Sequence, residues 1–153
     1  MKKWVFFLVI LVCAMMQPTV LNSIRFFGVK PDLLLICVVI AALEFELKWA
    51  IILSVSAGLF KDILGAQAFG FNAILFGLWS VLIIRLKRDI SFDNLYMVIA
   101  LTAVVALAHH LLVGLALVYF GNFIPLGIFV RIIIIEIFYT ALCLPLLKKA
   151  ASL

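Results

Sequence analysis

Five side chains in this sequence have the type and placement to do chemistry: Asp62, His109, His110, Arg131 and Glu136. Imidazoles beside a carboxylate suggest metal ligation or proton transfer, and two carboxylates suggest acid–base catalysis. A zinc centre takes three or four ligands, and His109-His110 without HExxH spacing, with Glu136 far along the chain, makes a poor set. Adjacent histidines on a helix point to different faces. Asp62 and Glu136 would have to lie at equal depth to share a site, and their positions in the apolar runs place them at different depths. No serine sits in a GxSxG turn. The sequence therefore predicts a non-enzymatic protein with no cofactor and no metal.

The same residues make better sense as helix locks. A charge at the centre of a bilayer costs ~2.5–3.5 kcal/mol on insertion scales, so such groups find partners. Depth along the apolar runs predicts two pairs, Arg131 with Asp62 and Glu136 with one of the two histidines. Arg131 and Glu136 are five positions apart and share no helix face well.

These groups must be positioned by long apolar elements. The chain has 153 residues, 69% of them hydrophobic and 12% charged, with a mean hydropathy of +1.40. The charges fall in clumps between apolar runs, the pattern of a single-domain polytopic membrane protein. The net charge of +5 reads by position and gives no basic face for nucleic acid. Cys13, Cys37 and Cys143 lie in apolar segments without ligand spacing and read as packing thiols.

Six spans are expected: about Trp4–Leu21, Asp32–Leu43, Trp49–Leu64, Phe71–Ile84, Leu95–Phe120, and a last one with Pro125 in its first turn. The first lacks an A-x-A site after its apolar core and reads as a retained span. The second is short, becoming adequate if Pro31 opens it; a re-entrant hairpin over Asp32–Leu64 is the alternative. With the N-terminus in the cytoplasm, inside segments hold Lys2, Lys3, Lys48, Arg85, Lys87, Arg88, Lys148 and Lys149. Outside segments hold only Arg25, Lys30 and Lys61, so the bias places both termini inside. The cluster Arg85, Lys87, Arg88 reads first as a topology anchor and secondarily as a contact for anionic lipid or a cytoplasmic protein.

Ala50, Ser54, Gly58 and Asp62 recur every fourth residue and form one narrow ridge if Trp49–Leu64 is helical. Small residues at that spacing let membrane helices approach backbone to backbone. The ridge faces either the bundle itself or a partner helix. It ends in Asp62, expected to be buried in protein, the alternative being a boundary position beside Lys61. Gly65 and Gly70 are expected to form the tight re-entry that follows, with Asn72 near the start of the next helix.

Taken together, Lys30-Pro31-Asp32 leading an apolar helix, Gly58 and Asp62 before a glycine-rich turn, and then Gly70-Phe71-Asn72-Ala73 resemble the rod-shape-determining MreD family. Length, span count and the acidic Glu136 in the last span are similar too. The resemblance implies a bundle of six transmembrane helices like the substrate-capturing subunits of energy-coupling-factor transporters. It also implies a scaffold role in the bacterial inner membrane, within the cell-elongation machinery that directs peptidoglycan synthesis. The partners implied are the transmembrane helix of MreC, then MreB and RodA with its penicillin-binding transpeptidase. The alternative the fold analogy supplies is a substrate-binding membrane subunit of a vitamin or small-molecule transporter. No inverted repeat relates the two halves of the chain to support transport directly.

Overall fold

The computed structural model describes residues 3–19, 29, 31–65, 70–92, 94–119, 121 and 125–151. Among them the extended elements are all helices: α1 (Lys3–Met16), α2 (Leu33–Glu44), α3 (Leu47–Leu64), α4 (Phe71–Asp89), α5 (Leu95–Tyr119) and α6 (Leu126–Ala151). Lys30 of the expected site lies outside the described residues.

The bundle is built around α2, which touches all five other helices. Every side chain from Leu33 to Ala42 is buried. A helix apolar on all sides belongs in a core, and this one has no polar face to turn outward. Its ends still present unpaired backbone groups, which must be satisfied where they stand. Asp32 caps the start, its Oδ1 accepting from the Leu35 amide at 3.1 Å. At the far end the Phe45 amide donates to the Ala41 carbonyl, and the Lys87 ammonium of α4 reaches the Leu43 carbonyl. An anion at the N-terminus and a cation at the C-terminus both oppose the helix dipole. Pro31 does not open this helix as expected. It is buried one position before the cap, and the helix has 12 residues, about 18 Å of rise.

α3 and α4 form the most extensive helix pair, joined through the corner at Gly65 and Gly70. Ala50, Ser54, Gly58 and Asp62 are all buried, so the predicted ridge faces the bundle rather than an outside partner. Gly58 marks the closest approach. A Cβ there would lie 2.4 Å from the Ala73 Cα and 2.7 Å from the Asn72 carbonyl oxygen.

Six helices form, but length and composition qualify two of them as membrane spans. These are α5 and the stretch Gly127–Leu147 of α6, with mean hydropathies of 2.2 and 2.1. The expected first span is shorter than predicted, because α1 ends at Met16 and Gln17 turns inward. At 14 and 12 residues, α1 and α2 fall below the ~20 needed for an upright crossing. α3 and α4 have the length but carry Lys48, Lys61 and Asp62, and Arg85, Lys87, Arg88 and Asp89 respectively.

The bundle combines a mainly apolar core with enclosed polar groups and an outer surface rich in large apolar side chains. Trp4, Leu8 and Met15 on α1, Ile74 and Leu78 on α4, and Phe138, Leu142 and Leu146 on α6 project outward. Asp32, Ser54, Asp62, Asn72, Ser80, Thr102, His109 and Thr140 are inside.

Candidate functional site

Two polar centres occupy the interior. The first is the corner between α3 and α4. Gly70, the N-cap of α4, has φ 93° and no side chain with which to cap its own helix. Asp62 supplies the missing acceptor from the preceding helix. Its Oδ2 accepts from the amides of Gly70 at 3.0 Å and Ala73 at 3.2 Å. Its Oδ1 accepts from the Asn72 amide at 3.1 Å and from Asn72 Nδ2 at 2.7 Å. Four donors thus converge on one carboxylate at a helix N-terminus, where negative charge is favoured.

Asp62 is therefore buried as expected, but its expected partner is wrong. Among the described residues its contacts are those of Gly70, Asn72 and Ala73, while Arg131 is exposed on α6. The physical reason is local. The start of α4 brings amide donors to within hydrogen-bonding distance of the carboxylate, leaving a guanidinium nothing to satisfy. Gly65 also differs from expectation, since its φ of −99° is open to any residue; of the two corner glycines, Gly70 alone occupies the left-handed region.

The second centre is organised by Asp32. The Lys61 ammonium of α3 donates to Oδ2, and Gln17 Nε2, just past α1, donates to Oδ1 at 3.3 Å. The Asp32 amide donates to Thr140 Oγ1 of α6 at 3.1 Å. Lys61 Nζ also lies 3.1 Å from His109 Nε2 of α5. An ammonium can only donate, so this contact assigns the lone pair to Nε2 and the proton of a neutral ring to Nδ1. Phe76 of α4 packs on both, its centroid 5.1 Å from the His109 ring and 5.1 Å from Lys61 Nζ. One aspartate and its counter-ion thereby touch α2 to α6 and the turn that follows α1.

Beside it, His110 Nε2 of α5 stands 3.3 Å from Glu136 Oε1 of α6. This is the predicted pairing of Glu136 with a histidine. The two histidine rings diverge at an interplanar angle of 74°, so His109 faces Lys61 while His110 faces α6.

Sequence reasoning missed three members of this centre: Lys61, Gln17 and Thr140. Lys61, expected in an outside segment, instead has a side chain 20% exposed and turned onto a carboxylate that is 1% exposed. A recognisable signal existed in Asp32, an acid set immediately before eleven successive apolar residues, with Lys61 as a later cation twelve apolar or small residues beyond Lys48 in the same helix.

A separate apolar groove of about 510 Å³ runs along α6, lined by Ile134, Ile135, Phe138, Tyr139 and Leu142. Comparison of the chain with protein-family models, with curated proteins and with solved structures finds no match.

Proposed function

We propose that this chain is a non-enzymatic, multi-pass membrane scaffold of the MreD type, with six crossings and both termini in the cytoplasm. It holds the transmembrane helix of an MreC-like partner and through it organises wall synthesis by RodA-type polymerases in the bacterial inner membrane. The supporting observation is where the polar groups lie: the Asp32–Lys61 ion pair and the helix-capping carboxylate of Asp62 are inside, with large apolar side chains outside. A bilayer rewards that arrangement and water penalises it. The scaffold role itself rests on the resemblance carried by Pro31-Asp32, Gly58, Asp62 and Gly70 to Ala73. A helix bundle cross-tied at its centre offers partners a rigid surface.

Co-purification in detergent tests this reading. A scaffold brings down a single-span protein with a large periplasmic part. A transporter subunit brings down ATPase components or retains a small ligand, and that outcome replaces the scaffold reading with the transport one.

A further inference from the structure

Three donors of the kind that bind transition metals converge beside the Asp32–Lys61 pair. Asp32 comes from the cap of α2, His110 from α5 and Glu136 from α6. One ligand atom from each lies within 4.8 Å of the other two. Around a tetrahedral ion with donors at ~2.1 Å, ligand atoms stand roughly 3.4 Å apart. His110 Nε2 and Glu136 Oε1 already meet that spacing at 3.3 Å. Asp32 supplies the third donor atom within the same 4.8 Å, and the group its Oδ2 now holds is the Lys61 ammonium.

Two further observations concern what this pocket accepts. His110 Nε2 is buried and makes no hydrogen bond among the described residues, so its approach to Glu136 lacks hydrogen-bond alignment. The neighbouring cation is the Lys61 ammonium, held between Asp32 Oδ2 and His109 Nε2. The pocket is thus already one that stabilises positive charge. Lys61 is the most exposed member of its ion pair, and its flexible stem can withdraw the ammonium from Asp32.

We propose that Asp32, His110 and Glu136 form a binding site for one divalent transition-metal ion of the zinc type, which competes with the tethered ammonium of Lys61 for Asp32. Imidazole with carboxylates selects zinc, manganese or iron over calcium or magnesium, and two carboxylates balance the charge of such an ion. Donors projecting inward from separate helices are how bundles commonly build metal sites. The site goes beyond the scaffold reading and does not depend on it.

The test uses the full chain without an affinity tag, purified in detergent, stripped with chelator, and titrated with Zn²⁺ by calorimetry and Co²⁺ by visible absorption. Saturable binding of one ion per chain is expected, with ligand-field bands for Co²⁺. His110→Gln and Glu136→Gln should each weaken binding about tenfold or more. Lys61→Met should tighten it by a similar factor, titrated below its own melting temperature where circular dichroism shows native helix content, because losing the ammonium also lowers stability. Lack of saturable binding in both wild type and Lys61→Met overturns the proposal. So does His110→Gln binding as tightly as wild type, or folded Lys61→Met binding no more tightly.

Discussion

Lys61, near the end of α3, donates its ammonium to the carboxylate of Asp32, which caps α2 and lies 29 positions earlier in the chain. The contact does more than neutralise a buried acid. Asp32 also receives Gln17 and bonds Thr140, and Lys61 also meets His109, so the pair ties the central helix to its neighbours at one point.

Breaking one side of a buried pair leaves an uncompensated charge, while removing both sides does not. Asp32→Asn or Lys61→Met alone should lower stability in detergent by about 3–5 kcal/mol. The double variant should be less destabilised than the sum of the two. A double-mutant cycle of thermal unfolding checks this, and strict additivity would show that the two groups are not coupled.

Gly58 should tolerate no side chain. A methyl there meets Ala73 backbone at 2.4 Å, and backbone cannot rotate out of the way. Gly58→Leu should force α3 from α4, costing more than ~3 kcal/mol, while membrane insertion is unchanged. At Gly77 the added Cβ meets only Val55 Cγ2, at 3.2 Å, so Gly77→Ala should be mild. Melting curves of the two variants, with a reporter-fusion check of insertion, separate them.

The Asp62 cap should matter more than a solvated acid of the same charge. Asp62→Asn retains one acceptor but presents an amide to converging N–H donors, and should cost about 1–2 kcal/mol. Glu46 is exposed and makes no capping bond although it occupies the N-cap of α3, so Glu46→Gln should be close to neutral. Equal losses of thermal stability would mean that the corner is not held by its carboxylate. A cysteine placed at position 62 should also resist a water-soluble maleimide in intact membranes.

Gly70→Ala should destabilise by about 1 kcal/mol, because its φ of 93° suits glycine alone. Space is not the issue, since nothing lies within 4 Å of an added Cβ. Gly65→Ala, at a φ of −99°, should be nearly silent. Comparing the two melting temperatures isolates backbone strain from packing.

The helical class was legible because apolar runs bounded by charges leave few alternatives. The Ala50–Ser54–Gly58–Asp62 ridge was legible because helical periodicity operates within one element. Glu136 with a histidine followed from similar depth on two successive long helices. Arg131 with Asp62 failed on the same logic, because depth ignores the amide donors that the start of α4 presents at close range.

Local composition and spacing thus determined which segments are helical, which face of α3 packs tightly, and that Asp62 would be enclosed. Tertiary structure decided that α2 is the centre, that Lys61 turns inward to Asp32, and that Asp32, His110 and Glu136 meet although they stand far apart in the sequence. The reason is one of range. Periodicity and capping act over a few residues, whereas the partner of a buried charge depends on which helices enclose it, and only the folded packing fixes that.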